Sequence, residues 1–210
     1  HLFSSAASDV YKRQVVYDVY GMQSAARTWW MFRVFGHDNV SVLNGGLPKW
    51  LQDGNTLNSD IIVPTPQLFK VNYREGLVRH LSDIFDFVET HDEKIIDART
   101  SGRFFGTEPE PRPGMRSGHI PGSVNLPFGQ LLSLEDKTFL SASETEKQFL
   151  DVIEDIDKPI VTTCGSGVTA CILALALFLV GKEDVAVYDG SWSEWGLSLI
   201  HISEPTRLTS

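Results

Sequence analysis

Cysteine is scarce in this chain. Only Cys164 and Cys171 occur among 210 residues, too few for a disulfide framework and without the paired spacing of a zinc site. Basic residues are also in deficit, 18 Lys and Arg against 27 Asp and Glu, for a net charge of −9. The two ends of the chain carry no share of that negative charge, so the acidic balance belongs to the body of the protein and argues against nucleic acid as a partner. No apolar run reaches the length needed to span a bilayer, and Ile172 to Val180 reads by length as a core helix. A reduced compartment suits such a composition.

Both ends are set aside from fold reasoning. Asp9 to Gln14 can be written in six codons whose reverse complement encodes Leu197 to Ile202. Inverted copies of one DNA segment at opposite ends resemble translated sequencing-library adapters, so segments 1–14 and 197–210 are expected to be non-native.

The most informative stretch is Cys164-Gly165-Ser166-Gly167-Val168-Thr169. Before it, Ile160 to Thr163 reads as a buried strand. After it, the apolar run from Ala170 to Val180 is too long for a strand and reads as a buried helix. A thiol at such a strand-to-helix turn faces unpaired backbone N–H groups and the positive end of a helix dipole, a setting that favours negative charge on sulfur. Gly165 and Gly167 allow positive φ, so successive amides can point inward as an anion nest. A small core hydrophobe that happens to begin a helix is the plainer alternative for a lone cysteine; the flanking glycines and hydroxyls reverse those odds. Cys171, seven residues on, reads as a packed core thiol.

An internal repeat supplies the architecture. Gly36-x3-Val40-x-Val42-x-Asn44-Gly45-x4-Trp50 recurs with every spacing preserved as Gly181-x3-Val185-x-Val187-x-Asp189-Gly190-x4-Trp195. Upstream, Val15-Val16-Tyr17-Asp18 aligns with Val161-Thr162-Thr163-Cys164, with one extra residue in the first copy before its helix (Ser24 to Phe35). The unit is strand, loop, helix, strand, Gly-turn, Trp, which is βαβ logic and implies a parallel sheet. Asp18 stands in the first copy where the thiol stands in the second. The second copy has a fuller preceding half: a helix capped by Ser82 or Asp83 and running to Thr90, a strand Lys94 to Asp97, a Gly/Pro-rich loop, a short strand within His119 to Pro127, and a helix from Ser143 to Ile153. The first copy lacks these, so its apolar faces and sheet edge are expected to lie uncovered and to promote self-association.

These residues match a family. SAARTWWMFRVFGHDNVSVLNGG, IIDARTSGRFFGTEPEPRPGMRSGHIPGSVNLPF, CGSGVTAC and YDGSWSEW together resemble the two-domain rhodanese superfamily, and within it the 3-mercaptopyruvate sulfurtransferases. The resemblance implies an α/β fold of tandem rhodanese-like domains, each a parallel-sheet core flanked by helices. The first domain, 15–55, would be incomplete and inactive; 56–75 would be a linker with Pro64 and Pro66, and 76–196 the catalytic domain. Position 170 is alanine, so the Cys-x5-Arg signature of the phosphatases of this fold is absent.

What the resemblance implies for chemistry is specific. Cys164 is the nucleophile, and 164–169 is the active-site loop. The family's substrate arginines fall on Arg103 and Arg112, for each of which a surface ion pair with Glu108 or Glu110 is an equal alternative. Thiosulfate-preferring relatives carry a basic pair after the cysteine; Gly165 and Ser166 are neutral here, which favours a keto-acid thiol held by guanidinium groups. The implied reaction moves sulfane sulfur from 3-mercaptopyruvate through a Cys164 persulfide to thioredoxin, glutathione or cyanide and releases pyruvate, with no metal or organic cofactor. A thiosulfate sulfurtransferase and a non-catalytic interaction module are the alternatives. The implied compartment is cytoplasmic or mitochondrial. His119 reads as a structural hydrogen-bonder, and Asp97 as a residue near the loop that orients it.

Overall fold

In the computed structural model, residues 13–60 and 68–197 are described; Pro64 and Pro66 of the expected linker lie outside them. Two parallel sheets share one body. β1 (Gln14–Val16) pairs with β2 (Val40–Val42) in a two-stranded sheet. β1 therefore opens at Gln14, the last residue of the segment set aside above. The second sheet has five strands in the order β3-β7-β6-β4-β5, formed by β3 (Val78–Arg79), β4 (Lys94–Asp97), β5 (Val124–Asn125), β6 (Ile160–Thr163) and β7 (Ala186–Tyr188). Every pairing in both sheets is parallel. β6 is central, and all four of its residues are buried, which accounts for an unbroken Ile-Val-Thr-Thr run rather than an alternating one.

The helices follow from the same patterning. α1 (Ala25–Val34) and α2 (Gly46–Gln52) belong to the first repeat. α3 (Leu81–Thr90), α4 (Ser101–Phe104), α5 (Ala142–Leu150), α6 (Ala170–Leu179) and α7 (Ser191–Trp195) belong to the second. α3 begins earlier than expected, with His80 at the cap rather than Ser82 or Asp83. Asp83 sits at the third helical position, where its carboxylate accepts from the His80 N–H at 2.7 Å. α5 is likewise shifted, because Ser141 accepts from the Glu144 N–H while Glu144 accepts from that of Ser141, and this reciprocal cap fixes the start at Ala142.

The expected exposure of the first repeat is corrected on its helical side. Ala26, Trp29, Trp30 and Val34 of α1 join the same core as Ala170 to Leu177 of α6. Trp29 meets Phe178 edge-on at 5.2 Å, and the Arg33 guanidinium lies 4.4 Å over the same Phe178 ring. α6 is apolar all round because it is covered on one side by its own sheet and on the other by α1. Val15, Tyr17, Val19 and Tyr20, by contrast, remain exposed along β1 and the turn after it.

Asp18 determines how α1 begins. Its Oδ1 accepts from the Tyr20 N–H at 2.9 Å, and its Oδ2 accepts from Gln23, Ser24 and Ala25 at 2.9–3.0 Å. Burial works to raise this carboxyl, but the four backbone donors outweigh it and hold Asp18 below the usual carboxylate range. Since the folded-state value lies below the unfolded one, the stability Asp18 contributes is full above about pH 4 and is lost as pH falls through the folded value. Asp18→Ala is expected to cost about 1–2 kcal/mol at pH 7, with the difference from wild type narrowing below about pH 4. Urea denaturation at pH 7 and pH 3 measures both.

Candidate active site

The cysteine loop lies where the central strand ends. Cys164 follows β6 directly, residues 164–169 form the turn, and α6 starts at Ala170. Cys164 is 2 % exposed, and Gly167 takes φ +75°. The Ser166 N–H points at Cys164 Sγ at 3.4 Å. Among the described residues, the N–H groups of Gly165, Gly167, Val168 and Thr169 have no acceptor within the protein. Of the expected inward-pointing amides, that of Ser166 meets the sulfur, and Gly165, unlike Gly167, does not take a positive φ.

The loop is fixed from outside by α7. The Trp192 N–H donates to the Cys164 carbonyl and the Ser193 N–H to that of Gly165, both at 2.9 Å. Ser191, fully buried with φ 52°, donates its hydroxyl to the Tyr188 carbonyl at 2.8 Å and accepts from the Cys164 N–H at 3.2 Å. A non-glycine residue held in the left-handed region at this point marks a place where geometry is imposed rather than relaxed.

The first repeat also reaches the loop. Arg27 of α1 donates to the carboxylate of Asp189 and, at 3.4 Å, to the Gly167 carbonyl. Burial works against the guanidinium's charge, but Asp189 overrides it and the arginine is held more firmly protonated than usual. Cys171, fully buried, donates its thiol to the same Gly167 carbonyl at 3.2 Å, and burial pushes that thiol well up, so it is a neutral packed group.

A cavity of about 180 Å³ opens over the sulfur. Cys164, Gly165, Ser166, Val168 and Thr169 line one side; Arg103, Glu110, Pro111, Arg112 and Met115 line the other. The structure therefore brings both predicted arginines and the thiol loop into one space, Gly167 alone of the loop residues lying behind it. Their surroundings differ. Arg103, on α4, donates to Glu110 at 2.6 Å and lies so close to Gly165 that a Cβ there would meet its Nη2 at 2.7 Å. For Arg103 the ion-pair alternative and the cavity-lining role both hold. Arg112 is exposed and has no carboxylate partner among the described residues, leaving its guanidinium available.

Behind the cavity runs a buried ladder of charge that sequence reading missed. Arg99 is bidentate to Asp97 at 2.7 and 3.0 Å, donates to Glu110 at 2.7 Å and to the Gly118 carbonyl at 2.8 Å, and stacks 4.4 Å from the Trp192 ring. Glu110, its side chain 1 % exposed, bridges Arg99 to Arg103. Asp97 is thus corrected: its carboxylate holds Arg99 rather than the thiol loop. His119 bonds the Phe104 carbonyl at 3.0 Å and stacks on its ring. The Asp97-x-Arg99 spacing just after a strand was the one local signal for the ladder. Glu110 was legible only as a surface partner for Arg103 or Arg112, its burial and its bond to Arg99 carrying no local signal, and Ser191 and Arg27 carried none, since they act on a loop remote in sequence.

A five-stranded parallel sheet with a glycine-flanked cysteine loop at the end of its central strand defines an α/β protein whose candidate site is a thiol beneath a cavity. The chain belongs to the rhodanese-like domain family, whose model matches residues 3–53 and 82–198. It is 47 % identical over 183 residues to human 3-mercaptopyruvate sulfurtransferase, covering 86 % of this chain and 61 % of that protein. It is equally 47 % identical over 184 residues to rat thiosulfate sulfurtransferase, covering 86 % and 62 %. The chain thus spans about three fifths of the length of these curated relatives. Among solved structures, the 3-mercaptopyruvate sulfotransferase SseA of Escherichia coli matches with a TM-score of 0.76 at 35 % identity, covering 92 % of this chain and 73 % of that one. Among the described residues no cluster of side chains suited to a metal occurs, and no helix is long and apolar enough to cross a membrane.

Removing one rung of the buried ladder leaves a charge without its counterion. Glu110→Gln is expected to cost about 3–5 kcal/mol in urea denaturation, whereas Glu108→Gln, exposed and two residues away, changes stability by less than about 0.5 kcal/mol.

Proposed function

We propose that this chain transfers sulfane sulfur through a persulfide on Cys164, with 3-mercaptopyruvate as donor. The comparison between the two repeats carries this reading. In the first, Asp18 fills its own loop: Oδ1 takes the amide two residues on, and Oδ2 takes the three amides that open the helix. In the second, Cys164 Sγ takes the amide two residues on, Ser166, and the amides of Val168 and Thr169 that open the helix are left without an acceptor. Counted back from the helix starts, these match Gln23 and Ser24. The nest therefore has room for one more anionic atom beyond the sulfur, in the place of Asp18 Oδ2. The outer sulfur of a persulfide is such an atom.

The reaction balances without a cofactor. The Cys164 thiolate attacks the sulfur of 3-mercaptopyruvate and forms an S–S bond. The C–S bond breaks, its electron pair leaves as the enolate of pyruvate, and a proton from Ser166, Thr169 or water completes pyruvate. An incoming thiolate, of thioredoxin or glutathione, then attacks the outer sulfur and takes it as a new persulfide, or cyanide attacks it and leaves as thiocyanate; in either case the S–S bond breaks and the Cys164 thiolate returns. Arg112, free of a carboxylate partner, binds the donor's carboxylate, and Arg103, held by Glu110, supplies a second positive wall.

Equal identity to a mercaptopyruvate and a thiosulfate enzyme keeps thiosulfate as a second reading. The neutral Gly165 and Ser166 weigh against it, since a dianion bound at the loop calls for cations there. A mitochondrial relative in Arabidopsis thaliana (46 % identical, covering 53 % of that protein) and the two unpaired thiols agree with a cytoplasmic or mitochondrial setting.

Intact-mass spectrometry after brief exposure to 3-mercaptopyruvate is expected to show one added sulfur atom on the wild type and none on Cys164→Ser. Sulfur gained faster from thiosulfate would shift the donor to the second reading, and no gain from either donor would defeat the proposal.

A further inference from the structure

We infer that Arg27 of the first repeat is a positioning residue for the thiol loop of the second: together with Cys171 it holds the Gly167 carbonyl outward and thereby keeps the Val168 N–H aimed into the sulfur cavity. The inference rests on the loop reading above and deepens it.

The reasoning starts from the peptide plane. In a trans peptide the carbonyl of one residue and the N–H of the next point to opposite sides, so anchoring the first orients the second. The loop already contains an observed case. The Gly165 carbonyl is anchored outward by the Ser193 N–H, and the next amide, that of Ser166, points at Sγ. At the next-but-one peptide the anchors are different. The Gly167 carbonyl is met by Arg27 Nη1 at 3.4 Å and by Cys171 Sγ at 3.2 Å. The opposite side of that plane carries the Val168 N–H, and Val168 lines the cavity. Its counterpart in the first repeat, the Gln23 N–H, does point inward, onto Asp18 Oδ2.

This peptide needs an anchor more than its neighbours do. Gly167 sits at φ +75° and has no Cβ to restrict it, so the plane turns over easily if the carbonyl is released. Nor can another residue stiffen the position, because a Cβ there would lie 2.7 Å from the Asp189 carbonyl and carboxylate oxygens. Of the two anchors, the thiol of Cys171 is a weak donor, and Arg27 is the charged one, meeting the carbonyl at a long 3.4 Å. Arg27 is itself held in place: Asp189 takes the guanidinium, which lies 4.7 Å over the Trp30 ring, and Trp30 donates to the Leu77 carbonyl at 3.2 Å. The first repeat thus acts on the site through one hydrogen bond to a carbonyl and touches no reacting atom.

The test uses the full chain and two readouts, sulfur loading of Cys164 from 3-mercaptopyruvate in a single turnover and alkylation of Cys164 by iodoacetamide at pH 7. For Arg27→Met the limiting loading rate is expected to fall about tenfold or more, short of the roughly 10²–10³ for outright loss of such a donor, since Cys171 remains. The donor concentration at half-saturation should not change, alkylation should slow in parallel, and Arg27→Lys should recover most of both rates. A loss confined to half-saturation, or both rates at the wild-type level, overturns the inference. If Arg27→Met lowers the melting temperature, Asp189→Asn, which removes the charged partner of Arg27 while keeping the side chain that lies over Trp30, must show the same slowing; wild-type alkylation in that variant overturns it equally. Should the wild type take no sulfur at all, the sulfurtransfer reading fails on its own, and the alkylation comparison still decides the role of Arg27.

Discussion

Everything around the thiol depends on backbone carbonyls being drawn away from it. A loop that turns an amide toward its sulfur must send the preceding carbonyl in the opposite direction, and buried carbonyls need donors there. The protein supplies them from three separate elements. α7 takes the carbonyls of Cys164 and Gly165, α6 sends back the Cys171 thiol, and α1 contributes Arg27. The anion nest is therefore made by the surroundings of the loop as much as by its glycines. The repeat of Gly-turn and Trp after β7 has a plain physical use, because that turn leads into α7, which carries two of the anchors.

The two repeats show one backbone device put to two uses. With a carboxylate after the strand, the amides of Gln23, Ser24 and Ala25 are satisfied internally, and the loop becomes a cap for α1. With a thiol there, one sulfur reaches one amide and the rest stay open. Carboxylate and thiol thus stand at the same point of two loops that differ by one residue in length, one closed by its own side chain and the other with amides left over. The carboxylate has two oxygens to spend on two sets of donors, and the thiol has one atom, which leaves space for a second.

Stability and chemistry compete in the charged ladder. Asp97, Arg99, Glu110 and Arg103 alternate in sign from the sheet to the cavity, and the inner three are almost wholly out of water. Such a row gains little net stability over apolar packing, since desolvation offsets the attraction. What it secures is the place of Arg103 against Gly165, where a flexible cationic side chain would otherwise sample many rotamers. Arg112 lacks this support, so the two arginines face the cavity differently: one is held by a carboxylate, and the other has no carboxylate partner among the described residues.

The sequence by itself determined the parallel α/β plan, the thiol loop and the kinship of the repeats. These features are written in local patterns: Ile160 to Thr163 is a buried run of strand length, Ala170 to Val180 an apolar run of helical length, and the Gly…Val-x-Val…Gly…Trp spacing repeats without a gap. Helix starts at Leu81 and Ala142 were less legible, because reciprocal caps with His80 and Ser141 decide them by a residue or two. Only the tertiary structure decided that α1 covers α6, that Asp97 serves Arg99, and that Arg103 is paired while Arg112 is free. Those facts join residues far apart along the chain, such as Arg27 with Gly167 and Trp192 with Arg116. Periodicity reports which face of an element seeks cover; it carries no information about which remote side chain supplies it.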